Sequence, residues 1–203
     1  AELVKIPDGT YRAKDEGLFL RFDNRGASGW EVKDKSGTTY SFGGTTDSEQ
    51  TTSNGTFRWC LRKVVDVNGN FLTAAYVKDQ GQPYLSRIDY TGHEVSGSQD
   101  VAPTHHVDFI TETRPDSDST LRSGADVKTA LRLKEIDAYA QGQLARKYAL
   151  SYASCGRTSR SLLTSVTHFG TDGITSLPAT TLTYQDTGAA SYPNILSNTV
   201  PLP

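Results

Sequence analysis

The Asn68-Gly69 pair in "FRWCLRKVVDVNGNFLTAAYV" restricts this chain more than any other feature, because it sits between two apolar stretches of strand-like residues. Asn and Gly both tolerate positive φ, so the pair suits a type I′ turn and is the strongest short hairpin signal a sequence carries. Phe57, Trp59 and Leu61, with Lys63 in the same series, alternate on the approach, and Phe71 to Val77 form the return. A similar design appears in "WEVKDKSGTTYSF", where Trp30 and Val32 precede the turn residues Asp34 to Gly37, and Thr39, Tyr40 and Phe42 follow. Ser53-Asn54-Gly55 marks another turn.

Further along, "PYLSRIDYTGHEV" reads as a short strand ending at Gly92, followed by glycine, serine and proline punctuation over 96–104. In "HHVDFITETRP" Val107, Phe109 and Thr111 alternate, and the strand is expected to end near Thr113 because Pro115 has no amide donor and restricts the residue before it. Residues 126–153 are rich in good helix formers, and Leu133, Ile136 and Tyr139 fit helical spacing. Against that, Val127, Thr129, Leu131 and Leu133 alternate, Gln141-Gly142-Gln143 interrupts, and Tyr148, Leu150 and Tyr152 alternate beyond it. The expectation is two strands around a turn near Gly142. "RSLLTSVTHFGTDG" and "SLPATTLTYQD" are also strand-like.

A weak internal echo supports the same design. Leu61, Leu85, Leu133 and Leu163 each open a short strand-like segment followed by a glycine: Gly69, Gly92, Gly142 and Gly173. Their uneven spacing makes this a degenerate hairpin repeat. Hairpins of that kind bury themselves by stacking side by side, which favours an extended sheet over a compact enzyme core. The fold class expected is all-β, mostly antiparallel, a hairpin-rich curved or extended sheet of shell or sandwich-like form. Residues 1–188 are taken as one β domain, and 189–203, with three prolines and little periodicity, as an extended C-terminal linker. The absence of methionine leads us to expect a processed chain or an excised piece.

Charge and motifs narrow the function. With 21 basic and 23 acidic residues scattered along the chain and a net charge of -2, no field attracts nucleic acid or an anionic membrane. No apolar run is long enough to span a bilayer, and the first residues lack the pattern of a signal peptide. Cys60 and Cys155 are too few for a disulfide framework and lack zinc-ligand spacing. His105 and His106 are adjacent, so a strand sends them to opposite faces and they make a poor ligand pair. Asp66, Asn68 and Asn70 imitate the start of a calcium loop, but Val77 stands where the twelfth-position glutamate is required, and the stretch reads better as a turn. Nucleophile elbows, zinc-protease motifs, paired carboxylates and glycine-rich phosphate cradles are missing, so no catalytic, cofactor-binding or metal-binding residue is assigned and no cofactor is expected. Cys155, beside Gly156 and Arg157, has cationic neighbours that could lower a thiol pKa, but no catalytic signature accompanies it and no reactive role is expected. Trp30, Trp59 and ten tyrosines could stack on sugars, yet Phe57 beside Trp59 and Tyr148 beside Tyr152 are equally what a sheet core requires.

An ordered set of segments carries a resemblance: "GTYRAKDEGLFLRF", "GWEVKDKSGTTYSFG", "FRWCLRKVVDVNGNFLTAAYV", "YLSRIDYTG", "DFITETRPDSDSTLRSGADVKTALRLKEI", "RKYALSY", "RSLLTSVTHFGTDG" and "SLPATTLTY". Over most of residues 8–186 the chain resembles the SpvB-like N-terminal region of bacterial toxin-complex (Tc) B subunits, the family that leads into Rhs/YD-repeat shells. The resemblance implies a β-rich virulence domain without catalysis, part of a hollow shell that houses a C-terminal toxin and helps deliver it. The implied partners are the remaining shell domains (propeller, YD-repeat region and toxin component), with no nucleic acid and no membrane contact by this piece, and the implied location is secreted, within a larger bacterial protein. Some relatives carry a separate ADP-ribosyltransferase domain with Ser-Thr-Ser and Glu-x-Glu motifs; "RTSRS" at 157–161 does not match the first and the second does not occur. The alternative from a different class is a secreted β-sheet module that binds glycans.

The segment "RPDSDSTLRSG" at 114–124 is read as a connector. Pro115 ends a strand, Asp116, Ser117 and Ser119 cap local amides, and Gly124 supplies a conformation other residues resist. Arg114 and Arg122 are expected to pair with Asp116, Asp118 or Asp126, or to brace a neighbouring domain of the full-length protein.

Overall fold

The computed structural model describes residues 2–184, so the expected linker at 189–203 lies outside the described residues. The chain opens with short strands: β1 (Leu3–Lys5), β2 (Tyr11–Ala13), β3 (Arg21–Asn24), β4 (Trp30–Lys33) and β5 (Thr39–Phe42). A hairpin of β6 (Glu49–Thr52) and β7 (Gly55–Trp59) follows, then β8 (Leu61–Val65). Longer strands come next: β9 (Asn70–Asp79), β10 (Gln82–Val95), the short β11 (Ser98–Val101), β12 (His105–Thr120), β13 (Val127–Ala140), β14 (Gln143–Ser154) and β15 (Ser161–Phe169), with β16 (Thr180–Thr181) last.

Fourteen of these strands form one sheet in the order β1-β2-β3-β4-β5-β8-β9-β10-β12-β13-β14-β15-β16, with β11 paired to β10. The order follows the chain, and the pairings are antiparallel, as in β9 with β10 and β12 with β13. β6 and β7 make a separate two-stranded sheet. The architecture is therefore the all-β, antiparallel, hairpin-rich sheet expected. Among the described residues no second large sheet packs on it to make a sandwich.

The 126–153 segment is the strand pair expected. β13 and β14 join through Gln141 (φ 52) and Gly142 (φ 78), the two positive values of a type I′ turn. Helix propensity yields because β13 pairs with a strand on each side.

Four expectations need correction. Phe57, Trp59 and Leu61 do not share a strand: Cys60 breaks the run, its amide donating to the Ser48 carbonyl (2.8 Å) and its carbonyl accepting from Gly43 (2.9 Å), which carries the chain from the small sheet into the large one. The Asn68-Gly69 turn is not type I′, since Gly69 alone of the pair has positive φ (87). The Asp66 carboxylate accepts from the amides of Asn68 (2.8 Å) and Asn70 (2.9 Å), holding a wider turn. β10 does not stop at Gly92 but runs to Val95 through a bulge, with the ring of Phe71 lying where a Cβ at Gly92 would be, 2.3 Å from Cζ. Of the four echoing glycines, Gly69, Gly142 and Gly173 have positive φ as turn residues do, and Gly92 does not.

The fourth correction concerns Pro115. β12 continues through it to Thr120, because a bulge between Thr113 and Asp118 sets extra residues against Leu131 to Thr129. In the bulge proline loses no ladder bond. The amides freed on the opposite strand are satisfied from elsewhere: those of Ala130 (2.9 Å) and Leu131 (3.2 Å) donate to the hydroxyl of Tyr84.

The core is thin. Among the described residues the buried apolar side chains are Val32, Cys60, Phe71, Ala74, Pro83, Val127 and Ala130. Most strand positions are half-buried on both faces; β15 is half-buried along its whole length. Much of the sheet is a single layer, and among the described residues only the β6–β7 hairpin covers part of it: Gln50, 3% exposed, donates to the Gly81 carbonyl (2.9 Å).

Candidate interaction surface

At the short-strand end, β3, β4, β5 and β7 set their apolar side chains around a hollow of about 790 Å³. Leu20, Phe22, Trp30, Phe42 and Trp59 line it, and Leu18 stands on its rim, 76% exposed. Register places these residues together: Phe22 lies opposite Val32, and Trp30 opposite Phe42. Trp30 meets Trp59 edge to face at 6.0 Å and Tyr11 at 5.4 Å. Both tryptophans are half-buried, neither sealed in a core nor open as a flat platform. The polar groups at the edge are already engaged: Asp34 accepts from Ser36 (2.6 Å), the Thr38 amide (3.0 Å) and Tyr40 (3.1 Å), and these bonds, the Ser36 one above all, hold its carboxyl below the usual range. The hollow thus offers apolar surface and little hydrogen bonding. Leu18, Leu20 and Phe22 were not among the residues expected to form a surface, although the apolar run "GLFLRF" is a signal for them.

The long strands carry a ladder of charge on one face. Arg87 on β10 lies opposite Asp108 on β12, Asp108 opposite Asp137 on β13, and Asp137 opposite Lys147 on β14. Two carboxylates directly across from each other repel, and the ends of the ladder offset this. Arg87 Nε is 2.9 Å from Asp108, and Lys147 is 2.5 Å from Glu135, a contact that raises the lysine's pKa. Burial pushes the Asp137 carboxyl up. The opposite face is apolar and aromatic, with Phe109 opposite Ile136, Ile136 opposite Tyr148, and Tyr148 stacked on His168 at 4.8 Å.

The 114–124 segment divides in two. Residues 114–120 belong to β12, and the connector proper is 121–126. Arg114 grips Asp116 with two bonds (3.1 and 2.7 Å), as expected. Asp116 does not cap local amides: it accepts from the amide (2.8 Å) and hydroxyl (2.5 Å) of Ser161, 45 residues along the chain. Arg132 joins the same cluster, donating to Glu112 (2.7 Å) and Ser161 (2.7 Å) while lying over the Tyr152 ring at 4.3 Å. Asp118 pairs with Arg160 (3.3 Å) and not with Arg122. The Arg114 and Ser161 bonds hold the Asp116 carboxyl far below the usual carboxylate range. The cluster ties the start of β15 to β12 and β13. Gly124 has φ 79, as its placement in the turn suggested.

The other candidates are structural in setting. His106 stacks on Tyr139 at 4.6 Å, while His105 bonds to Thr104 (2.9 Å) and lies beside Tyr90. The Cys60 thiol is buried, and burial raises its pKa. Cys155 follows β14 in a tight loop, its amide donating to the Arg160 carbonyl (2.8 Å).

A single-layer antiparallel sheet with a lateral hairpin defines the fold class, and solved structures share it. The N-terminal domain of effector protein SpvB from Salmonella typhimurium strain LT2 superposes with a TM-score of 0.66 at 14% identity, over 79% of this chain and 68% of that one. The TcdB2-TccC3-Cdc42 structure gives 0.72 at 18% identity over 87% of this chain and 12% of that one, and TcdB2-TccC3 gives 0.70 at 17% over the same shares. At these identities the likeness is one of fold, and it is the fold that the SpvB-like resemblance implied. No family model and no curated protein matches the chain.

Proposed function

We propose that this chain is a non-catalytic wall segment of a Tc B-like, Rhs-type shell, secreted as part of a larger bacterial virulence protein. In that shell it would help enclose a C-terminal toxin. The observation that carries the reading is the thin core: a sheet of 14 strands whose positions are mostly half-buried on both faces is built to be covered by neighbours. The fold shared with a TcdB2-TccC3 chain, of which this one spans 12%, supports the same reading. Its partners are the adjoining shell parts, namely propeller, YD-repeat region and toxin component. No helix among the described residues is long and apolar enough to cross a membrane.

The glycan-binding alternative loses weight at the hollow. Trp30 and Trp59 meet each other edge to face, and Asp34 is already bonded to its own turn, so little remains to orient sugar hydroxyls. The non-catalytic part of the proposal is tested by incubating the chain with labelled NAD and a cell lysate. No transfer of label is expected; reproducible transfer, abolished by changing one polar residue of this chain, overturns it.

A further inference from the structure

His93 sits near the end of β10, between Asn70 on β9 and Val101 on β11. Its two ring nitrogens face different partners. Nδ1 is 2.7 Å from the carboxylate of Asp100 on β11, and Nε2 is 2.8 Å from the backbone carbonyl of Asn68 in the 66–69 turn. Both partners can only accept. A neutral imidazole has one N–H and can satisfy one of them, leaving the other nitrogen's lone pair against an oxygen; the imidazolium donates to both.

The surroundings fit the charged form. Asp100 faces His93 from β11 and Asp66 from the turn, and both carboxyls lie below the usual range, Asp100 through His93 itself and Asp66 through Asn70 and the turn amides. Glu94, the next residue, is paired with Lys63 of β8 and so adds little net charge. The turn is seated directly on the strand: the Glu94 amide donates to the Gly69 carbonyl at 2.9 Å, and a Cβ at Gly69 would lie 2.1 Å from the Glu94 carbonyl oxygen and 3.1 Å from His93 Nε2. Beside this seat, the 66–69 turn and the Ser96-Gly97 turn border a shallow space of about 350 Å³, with Val67 and Val95 exposed at its edge.

We infer that His93, carrying both ring protons, is a clamp that fastens the 66–69 turn to β10 and β11, and that loss of one proton releases the turn's end of it. Asp100, a full charge, keeps the remaining N–H, so the bond to the Asn68 carbonyl is the one given up. Two neighbouring hairpin tips with exposed valines are thereby held together in acid and loosened in base. The sign follows from linkage. The Asp100 bond, then the Asn68 bond, raise the His93 pKa above its ordinary 6.5, so the clamp's contribution is complete below 6.5 and is lost as pH rises through the folded value.

The test is nitrogen-detected NMR titration of the whole chain, with the signal of His93 among the four histidines identified by its absence in His93→Gln. Both ring nitrogens should be protonated at pH 6.5, the midpoint should lie above that value, and Asp100→Asn should bring it back toward 6.5. Exchange of the Glu94 amide, corrected for its intrinsic pH dependence, should quicken through the same midpoint and lose that inflection in His93→Gln. A His93 midpoint at or below 6.5, a midpoint unmoved by Asp100→Asn, or Glu94 exchange without an inflection overturns the clamp. If a variant fails to fold, the titration and exchange of the unaltered chain still decide.

Discussion

Strands β1 to β5 are three or four residues long, whereas β9, β10, β12, β13, β14 and β15 run from 9 to 16 residues. The short strands have too few ladder bonds to fix themselves, so aromatic side chains around the hollow and tight glycine approaches hold them. At Gly29 a Cβ would lie 2.0 Å from the Phe42 carbonyl oxygen, so only glycine lets the two turns close. The long strands rely on pairing along their length and on polar clusters that bridge strands, such as Asp116 with Ser161. One end of the sheet presents apolar surface around the hollow, and the other carries charge on one face and aromatic side chains on the opposite one. The proposed wall role would use both, a contact surface for neighbours and a span that keeps its own shape.

The largest expected effect tests the long-strand side. Phe71 is 6% exposed and joins β8, β9 and Gly92, so Phe71→Ala should destabilise by about 3–5 kcal/mol in urea unfolding. A loss under about 1 kcal/mol would mean the long strands do not depend on this packing.

The next effect depends on pH. Asp116 is held well below the usual carboxylate range, so its contribution to stability is full above the ordinary value of 3.8 and falls away as the pH drops below it. Asp116→Asn should lower the urea midpoint at pH 7 and flatten the decline of stability as the pH falls below about 4. An unchanged acid-side profile would remove Asp116 from the bridge between β12 and β15.

Gly124→Ala should cost about 1 kcal/mol, because the turn requires φ 79 and the new Cβ meets only the movable end of Asn54 at 2.8 Å. The smallest effect belongs to the hollow's rim. Leu18→Ser should change the isolated chain's stability by less than about 0.5 kcal/mol, since Leu18 is 76% exposed. A large loss there would show that the short strands use Leu18 internally and would weaken its role as contact surface.

Much of the long-strand region was legible in the sequence. The β13–β14 hairpin could be read because both flanks alternate and Gln141-Gly142 suits its turn, local signals that agree with the tertiary pairing. The course of β12 through Pro115 was not legible, since what satisfies the bulge is distant in the chain: Tyr84 bonds to Ala130 of the opposite strand, 46 residues on, and Ser161 bonds to Asp116 from 45 residues beyond it. The break at Cys60 was hidden for the same reason: its partners, Ser48 and Gly43, are set by where the small sheet meets the large one. At the short-strand end the β4–β5 hairpin could be read from Trp30, Val32 and the turn after them, whereas the three-residue β1 and β2 show no periodicity, and nothing local told which strands Leu18, Leu20 and Phe22 would meet.

Electron microscopy of the full-length gene product tests the wall reading most directly. The prediction is a hollow particle in which the 14-stranded sheet forms part of the wall, with the hollow around Trp30 and Trp59 covered by an adjoining part of the shell. A sheet standing free on both faces, or a reading frame that holds no further shell domains, would contradict it.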